Sequence, residues 1–252
     1  MPSLRGHMVF LVKLRQELEK TMPEVGRAVA QEWPAALLGC EAPDSHFFTE
    51  QHRPDLHMLD QKDPGTWPGA VERWLEAHPE LAPGREQPAA TVAFVVGYLS
   101  HIGLDTWAEQ YLSPEYPAAA REGMPAAWYP AELRENARRR AALQRMAEEP
   151  VGEEYQVEAA ALRRAPVPQG FREEPIKTIA TGILPALGVT DAWQQSRVQP
   201  LPGRVVRPDT PDERAKWEEE RKDRPRASDE DYRALLRGAL DFTVEKIRRW
   251  WG

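Results

Sequence analysis

A chain of 252 residues is long enough to bury a large core as one domain, or as one domain with an appended piece. Its formal charge of −7 handicaps it against phosphate-rich partners, which disfavours nucleic acid and anionic membrane surfaces. With Cys40 as the only cysteine there is no internal disulfide, which fits a reducing, cytoplasmic setting.

The first predicted helix runs from His7 to Lys20. His7 is spaced with Leu11, Leu14 and Leu18 at i, i+4, i+7 and i+11, the core face of a helix. A histidine on such a face is ordinarily a hydrogen-bonded core residue. A second helix is expected from Glu24 to Leu38, ended by Gly39, so that Ala42-Pro43-Asp44 delivers a carboxylate just beyond it. Cys40 reads as a small packing residue ahead of a soft metal ligand. Ser45 to Asp60 is polar and irregular and holds His46, His52 and His57, three of the chain's 6 histidines.

Helices follow over Gly69 to His78, Thr91 to Tyr111 and Ala131 to Glu149. Trp67, Trp74, Tyr111, Tyr116, Trp128 and Tyr129 read as core, with those in the loop from Leu112 to Pro130 as alternative walls of a pocket above a metal. Val167 to Arg207 is Pro-rich and less regular, with a short helix from Ile176 to Leu187; Pro200 to Pro225 reads as a linker or solvated hairpin. The last helix starts at Ser228, with Asp231 three residues on as in a capping box, and carries Leu236, Leu240, Val244, Ile247 and Trp251 on its apolar face. The cations of Lys246 to Trp251 suit a helix C-terminus with Trp251 packed inward better than a membrane anchor. The 24 prolines fall mostly between amphipathic segments, and no run keeps period two for long, so the predicted fold is all-α. The longest apolar run, Thr91 to Leu104, falls short of the ~20 residues that cross a bilayer, and Met1 to Lys20 lacks the apolar core of a signal peptide.

Gly97-Tyr98-Leu99-Ser100-His101-Ile102-Gly103-Leu104-Asp105 is the stretch richest in chemistry. It puts His101 and Asp105 on one helix face inside an apolar run. A buried carboxylate needs compensation, either from the histidine through a plain hydrogen bond or from a divalent metal, for which both side chains are ligands. Asp44, the histidine-rich 45–60 segment and His7 supply further ligand-type groups. Gly-rich phosphate loops, Gly-x-Ser-x-Gly elbows and Cys-x-x-Cys pairs are absent from the sequence.

In order and spacing, His7, Leu37-Leu38-Gly39 with Ala42-Pro43-Asp44, His57-Met58-Leu59-Asp60, and Gly97-Tyr98-Leu99-Ser100-His101 with Asp105 resemble the zinc-dependent phospholipase C superfamily, which also contains zinc-dependent single-strand nucleases. The resemblance runs from His7 to Leu112. It implies an all-α multi-helix bundle, with residues 1–150 as the metal-site domain and 151–252 as a helical extension packed on it. It implies His7, Asp44, His57, His101 and Asp105 as ligands of one or two zinc ions, His52 or His46 standing in if His57 does not reach. Glu109 or Asp60 would ligate or act as general base. Two departures bear on function. Glu109 stands where similar proteins carry a histidine, and no histidine follows His101, so a three-zinc site cannot be built from the usual residues. The expected activity is hydrolysis of a phosphodiester or phospholipid. The alternative is a non-catalytic relative in which the same residues staple helices together, with or without one metal, for interaction with another protein.

Overall fold

Apolar residues at helical spacing dictate the first element, α1 (Leu4–Thr21), which buries Met8, Phe10, Leu11, Leu14 and Leu18. A computed structural model describes residues 4–48, 56–58, 69–81, 87–111, 139, 141–147, 149–183 and 227–252. Among the described residues there are helices and no strands. After α1 come α2 (Pro23–Gln31), α3 (Trp33–Glu41), a 3-10 helix at Pro43–Phe48, α4 (Ala70–Ala77), a 3-10 turn at Pro79–Leu81 and α5 (Ala89–Tyr111). Residues 141–147 are helical, followed by a 3-10 turn at Glu153–Tyr155, α6 (Ala159–Arg164), α7 (Glu173–Ile183) and α8 (Asp229–Trp251).

The centre of the fold is α5. Every residue from Val92 to Thr106 is buried, as befits a helix that is apolar on all sides. It packs against α1, α2, α3, α4 and α8. Its Ala89–Ala108 portion has the length and composition to cross a membrane, contrary to the sequence reading, which stopped the run at Leu104; most of it is buried against the other helices. The α3–α5 crossing is the tightest. A Cβ at Gly39 would stand 2.0 Å from the Phe94 carbonyl oxygen, and one at Gly97 would stand 2.0 Å from that of Ala36. Only glycine lets the two backbones approach this closely.

Several expectations are adjusted. The helix expected over Glu24 to Leu38 is two helices that meet at Glu32, because Pro34 has no N–H to give the Ala30 carbonyl and its ring would collide with it, so the proline sits in the first turn of a new helix. Gly39 does not end α3, which runs on to Glu41; the glycine serves the crossing with α5 instead. The short helix expected at Ile176 to Leu187 lies at Glu173–Ile183. Ser228 and Asp231 form the capping box reciprocally, at 3.0 Å and 3.3 Å. On α8 it is Trp250 rather than Trp251 that turns fully inward, where its indole N–H donates to the Leu81 carbonyl at 2.9 Å. Trp74 is buried and stacks on Tyr98, while Trp67, Tyr116, Trp128, Tyr129 and the 184–226 stretch lie outside the described residues. One hydrophobic core takes in residues from both halves, among them Leu162 and Ile176 beside Leu37 and Leu99, and Tyr232 to Trp250 of α8.

Candidate metal centre

Four separate pieces of backbone deliver five ligand-type side chains to one place. His7 lies on the core face of α1, and His101 and Asp105 lie one turn apart on α5. Asp44 comes from the 3-10 helix that follows α3 directly, and His57 from helical residues at 56–57. All five are buried, with His57, His101 and Asp105 at 0% exposure. His7 Nε2 stands 3.4 Å from Asp105 Oδ1. The other oxygen, Oδ2, is 3.7 Å from His57 Nε2 and 3.8 Å from His101 Nε2. Asp44 Oδ1 is 3.3 Å from His57 Nε2 and 3.9 Å from His101 Nε2. The imidazoles of His7 and His101 stack face to face, centroids 3.7 Å apart.

Proton bookkeeping on His101 follows from its neighbours. Its Nδ1 is 2.6 Å from the Cys40 carbonyl, which can only accept, so Nδ1 carries the hydrogen and Nε2 the lone pair. That lone pair faces His57 Nε2 at 3.2 Å. Four donors around a tetrahedral ion with bonds of about 2.0–2.1 Å stand about 3.3–3.4 Å apart; the Asp44–His57 and His57–His101 distances of 3.3 Å and 3.2 Å match that value, and those from His101 to Asp44 and from His57 and His101 to Asp105 are longer at 3.7–3.9 Å. The carbonyl behind Nδ1 is the partner that fixes the tautomer of a metal-ligating histidine. The residues thus fit a divalent ion. They form two triads, His7–His101–Asp105 and Asp44–His57–His101, which meet at His101. One imidazole with one lone pair serves one ion.

The electrostatics point the same way. Burial alone would raise the carboxyls of Asp44 and Asp105, but the surrounding imidazoles hold both below the ordinary carboxylate range: chiefly His101 and His57 for Asp44, and His7 and His101 for Asp105. Burial, and then the neighbouring His7, push His101 down to about 3, so its imidazole is neutral near pH 7. Two carboxylates beside the neutral imidazole of His101 make a buried pocket that attracts a cation.

His46, the stand-in for His57, is buried edge-on to it at 5.3 Å, and its Nδ1 is tied to the Pro43 carbonyl at 3.1 Å. The side chain of Glu109, on α5, falls outside the described residues, as do Asp60 and His52 altogether. Sequence reasoning missed Glu41, which is 0% exposed with neither carboxylate oxygen hydrogen-bonded among the described residues. Burial, helped by the charge of Asp44, pushes its carboxyl well above the ordinary range. The signal was available: Glu41 is the one acid between Leu37 and Ala42, a run that is otherwise apolar. No protein-family model, curated protein or solved structure matches the chain.

Proposed function

We propose that this chain is a zinc-dependent phosphodiesterase of the phospholipase C kind, with a reduced metal site. The observation that carries the reading is the division of the Asp105 carboxylate, one oxygen toward His7 and the other toward His57 and His101. A carboxylate shared in this way suits a principal ion held with Asp44, His57 and His101 and a second, weaker position beside His7. A divalent ion there supplies Lewis acidity, lowering the pKa of a water toward ~7 and neutralising charge that develops on a phosphodiester. Asp44 and Asp105 contribute the negative charge that selects a dication. The Cys40 carbonyl keeps the His101 lone pair aimed inward. The ordered resemblance of the N-terminal segments to zinc-dependent phospholipases supports the substrate class.

A second reading, in which one ion staples α1, α5 and the segments bearing Asp44 and His57 without turnover, is favoured by the burial of all five side chains. The two part on one set of measurements. Metal content of protein purified without added metal counts the ions. Hydrolysis of a generic phosphodiester and of a short-chain phosphatidylcholine is then followed with zinc, with manganese and after chelation, in the wild type and in Glu109→His. Slow hydrolysis that chelation abolishes, with higher zinc occupancy in Glu109→His, supports the enzyme. Equal, metal-independent background in every sample rejects it and leaves the staple.

A further inference from the structure

His57 is the only one of the five side chains not carried by α1, by α5 or by the 3-10 helix behind α3. Its Nε2 lies within 3.2–3.7 Å of His101, Asp44 and Asp105. Both flanking carbonyls are gripped from outside. Tyr98 donates its hydroxyl to the Leu56 carbonyl at 2.6 Å, and Arg73 donates from Nη2 to the Met58 carbonyl at 2.7 Å. Between the two grips the chain turns through Met58 at φ +53°, a left-handed conformation that a non-glycine residue rarely holds without outside support.

The grips are themselves anchored. Tyr98 is 1% exposed on α5, three residues before His101, and its ring stacks on Trp74 at 4.3 Å. Arg73 is half-buried on α4 beside Glu72, which pairs with Lys246 of α8. We propose that Tyr98 and Arg73 are positioning residues that clamp the carbonyls on either side of His57 and thereby set how tightly the centre holds its ion. This inference rests on the metal reading above, and it adds a prediction that the ligand set alone does not make. Neither residue touches the ion, and each acts only through where it puts His57. Partners of this kind typically change metal affinity by about 10–100-fold.

The test is a cycle of full-length variants, each titrated with zinc against a chromogenic chelator and with cobalt(II), whose visible spectrum reports coordination geometry. Tyr98→Phe removes one hydroxyl and keeps the ring on Trp74. It should weaken zinc by about 10–100-fold in the wild type, shift the cobalt spectrum toward that of His57→Ala, and change zinc affinity little in a His57→Ala background, because the route of action is gone. Arg73→Met repeats the cycle from the α4 side should Tyr98→Phe fail to fold. Equal weakening with and without His57 means a general packing effect and overturns the clamp, as does a Tyr98→Phe or Arg73→Met protein with wild-type zinc affinity. A wild type that takes up neither zinc nor cobalt removes the metal centre itself, and the clamp with it. Those failures are therefore told apart by whether the wild type loads.

Discussion

Replacing Asp105 by alanine tests the centre most directly. The carboxylate is fully buried on α5, 3.4 Å from His7 Nε2 and 3.7 Å and 3.8 Å from the Nε2 atoms of His57 and His101. Its removal leaves three buried imidazoles without their common anionic partner. Breaking a buried pair by deleting one side costs about 3–5 kcal/mol. In a chain of this size each kcal/mol moves the melting temperature by roughly 2–4 °C, so metal-free Asp105→Ala should melt roughly 6–20 °C below the wild type. Zinc widens the gap. At a thousandfold excess over Kd a bound ion adds about 4 kcal/mol to the native state, and the variant should lose most of that increment. Melting followed by circular dichroism, with chelator and with zinc, gives both numbers, and metal analysis after dialysis gives occupancy. Asp105→Asn separates charge from shape, keeping the volume but losing zinc. Because the imidazoles hold Asp105 below the ordinary carboxylate range, its stabilisation is present above the unfolded pKa of ~3.9 and is lost only as pH falls through the lower folded value. The difference between wild type and variant should therefore hold from pH 8 to pH 5 and shrink in stronger acid. An Asp105→Ala protein that melts with the wild type and retains zinc would refute both the ligand and the buried-pair readings.

Three further outcomes are expected. Gly39→Ala puts a methyl 2.0 Å from the Phe94 carbonyl oxygen, forces α3 off α5 and should cost about 3 kcal/mol or more in urea denaturation. Glu41→Gln should stabilise the metal-free protein by about 1–2 kcal/mol near pH 8; the raised carboxyl of Glu41 binds a proton that the unfolded chain releases, so wild-type stability falls as pH rises and the advantage of glutamine disappears below the unfolded value. His101, at about 3 when folded against ~6.5 unfolded, takes up its proton in the unfolded chain first. Stability of the metal-free protein should accordingly decline as pH drops from about 6.5 toward 3, a limb that His101→Gln should flatten in denaturation curves collected across that range.

Helical periodicity made the fold class and the buried faces of α1 and α8 legible, because each buries a continuous face that leaves a mark in the spacing of Leu11, Leu14 and Leu18 or of Leu240, Val244 and Ile247, whereas the start of α1 lies at Leu4, ahead of the expected His7. Gly39 was misread for a physical reason: a glycine at a helix stop and a glycine at a tight crossing look alike until the partner helix is known, and the partner lies some sixty residues away at Phe94 and Gly97. Trp250 and Trp251 are a similar case, since adjacent residues on a helix differ by about 100° and the last turn gives too little pattern to choose between them. The meeting of His7, Asp44, His57, His101 and Asp105 is a long-range fact. Ligand chemistry nominated these residues, but no local pattern states that Nε2 of His57 and Nε2 of His101 stand 3.2 Å apart. The grips of Tyr98 and Arg73 on the carbonyls of Leu56 and Met58 were invisible, because they address backbone atoms and so carry no complementary residue type.

The packing of α8 against α5 sets an order of events during synthesis. Thr243 lies against Gly103, and Gly238 lies beneath the Trp107 indole, so the helix bearing His101 and Asp105 is covered by residues made about 140 residues later. At ordinary elongation rates that interval is roughly 7–30 s. Throughout it, all five donors have been made while the helix that seals one side of α5 has not. The face of α5 that carries Gly103 and Trp107 therefore stays uncovered until Gly238 and Thr243 have been made. Docking of α8 ends that interval, so the helix bearing His101 and Asp105 reaches its full burial only when the last residues of the chain are in place.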